Sequence, residues 1–364
     1  MINKKRLSST FVDLVKIDSP SGEEKLIANE VKKRLEEIGA TVIFDTYGNV
    51  IGKISGEGKP FILNAHLDTV EPSRGIKPIK KGGRFFSDES TILGADPKSG
   101  IAIILESLTS LREMGNKLPN LEIVFTIGEE NGLMGALNLD YSLINSKQGI
   151  TFDGGGPCTD IHTAAPGYTK VDVVITGRSA HAGAEPEKGI SAIRIASEII
   201  SKLPLGRIDD ETTSNIGIIN GGSARNAIPE TIEIKGEIRS RSINKLESLT
   251  LTFQKIFYEV IKKYDGAKIE LTLKQQFAPY NFDTNHDFIK KLNKIYQKMG
   301  LISTCIPSGG ATDVNIFHAN GIEAIVLGTG MYQCHTTKEY LEIEEMFQAA
   351  QFCEKVIQSL ISFT

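Results

Sequence analysis

Five short segments place an acid or an imidazole where an apolar run ends. In Asn64-Ala65-His66-Leu67-Asp68 the two polar residues are two apart. On a strand they share a face, so the Asp68 carboxylate can orient the His66 ring. Gly94-Ala95-Asp96-Pro97 is a glycine-flanked turn opening a helix, where Asp96 taken alone would be an N-cap. Gly128-Glu129-Glu130 sets two carboxylates side by side. They repel unless a cation neutralises them, and one can bind metal while the other stays free as a base. Phe152-Asp153-Gly154 and Cys334-His335-Thr336 complete the set. Each segment has an ordinary structural explanation by itself. Five together, at the strand ends where α/β sheets bind ligands, point to a metal centre. A mixed oxygen and nitrogen donor set suits zinc, manganese or cobalt better than calcium.

The elements that must position these residues alternate between buried strands and helices. Ser21-Gly22-Glu23-Glu24 has the pattern of a capping box, with Leu26, Ile27, Val31, Leu35 and Ile38 at helical spacing behind it. Strands are expected at 41–46, 49–54, 60–66, 121–127 and 148–152, and a helix at 99–114. Beyond Pro166 the pattern changes to alternating strands, such as Thr231-Ile232-Glu233-Ile234-Lys235, with helices at 189–203 and 243–263. Alternation means one wet face and an antiparallel sheet. The expected fold is α/β: a mostly parallel sheet flanked by helices, with an inserted α+β lid of antiparallel sheet and two helices. Residues 1–165 and 276–364 would form the metal-binding domain and 166–275 the lid, in keeping with two domains for a chain of 364 residues.

A net charge of −4 leaves no electrostatic footprint for nucleic acid or an anionic membrane. No apolar run is long enough for a membrane span. Ser8, Ser9, Thr10 and Asp13 interrupt the N-terminal segment where a signal peptide needs unbroken apolar residues, so it reads as an amphipathic helix of a cytoplasmic protein. Cys158, Cys305, Cys334 and Cys353 form no CxxC pair and read as reduced thiols.

The order His66-x-Asp68, Gly94-Ala95-Asp96, Glu129-Glu130, Asp153 and His335 resembles the M20 metallopeptidases, in their peptidase T-like tripeptidase branch. Gly177-Arg178-Ser179-Ala180-His181-Ala182-Gly183, Ala224-Arg225-Asn226-Ala227-Ile228-Pro229-Glu230 and Glu237-Ile238-Arg239-Ser240 resemble lid motifs of the same family. The resemblance implies two divalent metals, zinc with manganese or cobalt as alternatives. His66 and Asp153 would hold one, Glu130 and His335 the other, with Asp96 bridging. Asp68 would hold His66, and Glu129 would be the general base. His181 would reach toward the oxyanion, often across a homodimer formed through the lid. Asn226 and Arg239 would bind the polar end of a short peptide, and the backbone around Gly310 would wall the pocket. The implied activity is release of the N-terminal residue from tripeptides. A deacylase, carboxypeptidase or dipeptidase uses the same chemistry, and a non-catalytic metal-binding module is a third possibility. Pro97 departs from the usual acidic or amide residue. It stands where the resemblance implies a cis peptide, whose cost proline lowers, so a cis Asp96–Pro97 bond is expected.

Overall fold

The four apolar runs that lead to candidate ligands form the centre of one sheet in the computed structural model, which describes residues 1–361. Pro119–Thr126, Glu57–His66, Gln148–Gly155 and Glu323–Tyr332 lie side by side and parallel. Ile62, Leu63, Ile123, Val124, Phe125, Ile150 and Leu327 are fully buried, as expected of strands covered on both faces. Val50–Ile54 and Thr41–Phe44 extend the sheet antiparallel at one edge; Tyr340–Glu342, Arg84–Phe86 and Ile79–Lys81 do so at the other. Since the four central strands run the same way, their carboxyl ends share one edge.

The helix Ala95–Glu113 packs on Glu57–His66 and Gln148–Gly155, and against the helices Lys4–Val15 and Ile343–Ile361. Leu7, Phe11, Leu14 and Val15 are the buried stripe of the first helix. A Cβ on Gly100 would lie 1.9 Å from the carbonyl oxygen of Phe152. Glycine there lets the helix that begins near Asp96 close onto the strand that carries Asp153.

By contact the chain divides into two units. One comprises Met1–Thr163, Phe282–Ser308 and the residues from Thr312 on; the other comprises Ala164–Asn281 with Gly309–Ala311. The second has an antiparallel sheet in the order Gly206–Arg207, Thr212–Gly221, Thr231–Ser240, Gly167–Thr176, Lys268–Phe277. Ile232, Ile234 and Ile238 alternate inward and join Val171, Val173 and Ile175. The helices Ala192–Ile200 and Ile243–Ile261 complete this core with Ile195, Ile199, Leu246, Phe253 and Phe257.

The capping box at Ser21 is absent. The helix begins at Lys25 with no side-chain cap. The Ser21 hydroxyl instead donates to Asp68 Oδ2 at 2.6 Å, and Glu24 Oε1 accepts from the backbone of Gly22 and Gly128. Each side chain makes a long-range contact, which local spacing does not reveal. Leu26, expected on the apolar face, is exposed; Ala28 takes its place beside Ile27, Val31 and Leu35.

Candidate metal centre

His66 is the last residue of its strand and Asp153 lies near the end of the next. Glu129 and Glu130 follow Thr126 by one tight turn, in which Gly128 has a positive φ of 60°. His335 follows Tyr332 and has a φ of 64°, rare for a residue with a side chain and a mark of a position fixed by its surroundings. Asp96 and Pro97 keep non-helical backbone angles at the start of their helix, and the peptide between them is cis, as expected from the sequence.

Five of these side chains converge as two triads sharing Asp96, and Glu129 falls into a further group with His66 and Glu130. His66 Nε2 lies 3.3 Å from Asp96 Oδ1 and 3.3 Å from Asp153 Oδ1. His335 Nε2 lies 3.3 Å from Asp96 Oδ2 and 2.9 Å from Glu130 Oε1. Within each triad the donor atoms are close enough to share one ion. Glu129 Oε2 stands back from His66 Nε2 at 3.9 Å. Asp96 Oδ1, though buried, has no aligned hydrogen-bond donor, so its 3.3 Å approach to His66 is proximity without a bond. Apart from the His335–Glu130 hydrogen bond, these atoms crowd a common point at 3.3 Å, as the ligands of one ion do. Donors at about 2.0–2.1 Å from a tetrahedral zinc are about 3.3–3.4 Å apart, the spacing seen here.

Electrostatics give the same picture. Burial would depress the His66 ring; the fields of Asp153 and Glu129 outweigh it and hold the ring well above its ordinary value. Burial also opposes ionisation of Asp96, but the imidazoles of His335 and His66 keep its carboxyl below the usual range. His335 is raised to about 10 by hydrogen bonding to Asp96 and Glu130. Burial lifts Glu129 well above an ordinary glutamate, with Asp153 and Glu130 adding to the effect of burial and His66 opposing it. Asp153 is pushed up to about 7, by burial first. The cluster thus retains protons where bound cations would balance its charge.

Residues 163–265 match the M20 peptidase dimerisation domain, and residues 49–156 match peptidase family M28. The Bacillus subtilis protein YqjE is 36% identical, over 98% of this chain and 99% of its own. The solved structure of aminopeptidase PepT from Bacillus cereus is 34% identical, covers 99% of both chains and has a TM-score of 0.90. That of a tripeptidase from Staphylococcus aureus is 32% identical, covers 100% of both and has a TM-score of 0.94. The chain belongs to the M20 metallopeptidases, in the peptidase T-like branch.

In this M20 peptidase the residues around the triads include several that the sequence reading passed over. Asp68 does more than face His66 Nδ1 at 3.3 Å: its two oxygens accept the backbone N–H groups of Glu129 at 2.9 Å and Glu130 at 3.1 Å. Asp313 accepts from Thr126 Oγ1 at 2.5 Å and Asn64 Nδ2 at 3.2 Å, and Asn64 accepts from Thr151. This chain of bonds ties together three of the ligand-bearing strands. Asn64, two residues before His66 and on the same face, was the available signal. Glu339, also missed, holds the backbone beside Asp96.

The lid candidates lie in the second unit. The segments around His181 and Asn226 run side by side, with Ala182 N donating to Asn226 O at 2.9 Å and Ile228 N to Ala180 O at 2.9 Å. His181 Nδ1 accepts from the backbone of Gly183 at 3.2 Å and Ala184 at 3.0 Å. That network assigns the ring proton to Nε2, which makes Nε2 a donor. Arg239 is paired with Glu237 through two 3.0 Å bonds and lies over the Tyr168 ring. Gly310 belongs to the short segment grouped with this unit.

Proposed function

We propose that this metallopeptidase removes the N-terminal residue of tripeptides, using two divalent cations held by the two triads. The observation that carries the reading is the placement of Asp96, with one oxygen toward His66 and the other toward His335, each at 3.3 Å. His66, Asp153 and Asp96 Oδ1 would hold one ion; His335, Glu130 and Asp96 Oδ2 the other. The nitrogen and carboxylate donor set fits zinc, with manganese and cobalt as alternatives. When bound, such ions acidify an attacking water and polarise the scissile carbonyl.

The chain's own groups supply the rest. Glu129 is buried beside the triads without joining the 3.3 Å contacts, and its raised pKa suits a carboxylate that takes a proton from the attacking water and returns it to the leaving nitrogen. Asp68 holds the turn that aims Glu129 and faces the His66 ring. The Nε2–H of His181 would donate to the carbonyl oxygen as charge builds there. Asn226 and Arg239 would engage the polar end of the peptide, and the Gly310 backbone would line its pocket.

The same proposal makes the protein a homodimer through the second unit. Its support is the match to a dimerisation domain and a sheet edge on the strand Thr212–Gly221. Among the described residues, positions 216–221 of that strand pair on one side only, and Ile218 and Ile219 are each 49% exposed. The four cysteines are free thiols, in keeping with the cytoplasmic location proposed here. Among the described residues no helix is long and apolar enough to cross a membrane.

The test is mass-spectrometric product analysis on a matched panel of di-, tri-, tetra- and N-acyl peptides with added zinc, manganese or cobalt. Release of the first residue, fastest from tripeptides with a free amine, is expected. Preferential turnover of N-acyl substrates, or release of the C-terminal residue, would replace this reading with the deacylase or carboxypeptidase one.

A further inference from the structure

Glu339 stands four residues after His335, just before the strand Tyr340–Glu342. Its side chain is buried and joins neither triad. Its oxygens are nonetheless fully engaged. Oε2 accepts the backbone N–H groups of Leu93 at 2.8 Å and Gly94 at 2.7 Å, and Oε1 accepts that of Asp96 at 3.0 Å. Gly94, with a φ of 72°, turns successive N–H groups toward one point, the concave arrangement in which backbone binds an anion. The buried Lys98 amine, two residues beyond Asp96, donates to the Ile17 carbonyl at 2.8 Å.

We propose that Glu339 is a positioning residue: it clamps the loop 93–96 so that Asp96 can present one oxygen to each triad. A single five-residue segment then performs two tasks, offering His335 to the second triad and anchoring the loop that supplies the ligand common to both. This rests on the metal reading given above. The arrangement on the other side of the centre has the same form, since Asp68 accepts the N–H groups of Glu129 and Glu130. Each of the two ligand-bearing turns is therefore held through its backbone by a buried carboxylate, leaving its own side chains free for cations. Losing such a support typically weakens metal binding or activity about 10–100-fold.

The test uses Glu339→Gln and Glu339→Asp. An amide keeps one acceptor oxygen but turns an NH₂ group toward backbone donors, whereas aspartate keeps the charge on a stem one carbon shorter. Cobalt binding to the chelator-stripped proteins is measured by competition titration, with the visible absorption spectrum of the cobalt form and the melting temperature of the metal-free form. The account expects both cobalt ions to bind about 10–100-fold more weakly in Glu339→Gln, with an altered spectrum, and Glu339→Asp to fall between it and the wild type. In turnover at saturating metal, kcat should fall while KM changes little. A folded variant, Gln or Asp, with wild-type affinity at both sites and a wild-type spectrum would overturn the proposal even if its melting temperature drops. Wild-type protein that takes up no cobalt would instead overturn the metal reading beneath it.

Discussion

Asp68 accepts the backbone N–H of Glu129 at 2.9 Å while its other contacts reach His66 and Ser21. One buried carboxylate thus holds the turn that carries the proposed base and faces an imidazole of the first triad. Asp68→Asn keeps the shape but substitutes a donor for an acceptor facing these groups. The expected loss is about 10–100-fold in kcat/KM or metal affinity. Steady-state kinetics paired with metal analysis checks it; unchanged values for both would remove Asp68 from this role.

Glu129 and Glu130 are neighbours with different expected fates. Glu129→Ala should keep both metals and lose about 10²–10⁴-fold in rate, the usual contribution of a general base. Glu130→Ala should lose metal as well, because it removes a donor 2.9 Å from His335. Metal content by mass spectrometry beside kcat separates the two.

The contribution of the raised carboxyls to the stability of the metal-free protein should fall with rising pH. Asp153 is held up to about 7 in the fold. It therefore binds a proton in the folded state that the unfolded chain, with an ordinary aspartate near 3.9, has already released. This contribution is full below about pH 4 and is lost as pH rises through about 7. The raised Glu129 acts in the same direction. Bound metal displaces those protons, so metal affinity should climb, by about tenfold per pH unit for each proton released. Melting curves with and without metal between pH 5 and 8 should diverge; curves that stay parallel would contradict the assignment.

The triads were legible in the sequence because parallel strands buried on both faces leave long apolar runs, and His66, Glu130, Asp153 and His335 punctuate their carboxyl ends. Asp96 was legible through its glycine-flanked turn. Glu339 was not, because its partners are backbone N–H groups 243 to 246 residues earlier in the chain, and backbone leaves no mark in a sequence pattern. Ser21 misled for a related reason: its hydroxyl serves Asp68, 47 residues away, and the local capping pattern goes unused. The exposed edge strand Ile79–Lys81 has no buried face, hence no alternation to read.

The tautomer assigned to His181 makes it a donor, and the proposed dimer allows it to serve a partner's centre. His181→Ala and Glu129→Ala chains, each inactive alone, should then regain activity when mixed under subunit exchange. Random exchange would give roughly a quarter of wild-type activity, since half the dimers are mixed and each restores one of two sites. Verified mixed dimers without activity would place His181 in its own chain's site or outside the reaction.

The central claim, that paired cations around Asp96 drive amide hydrolysis, is tested most directly by stripping the protein with chelator and titrating metal back. Release of the N-terminal residue from a tripeptide is followed against bound metal per chain. The account predicts no activity in the stripped protein and a return that reaches its plateau near two ions per chain. Full turnover in excess chelator, with metal loss confirmed, would contradict it.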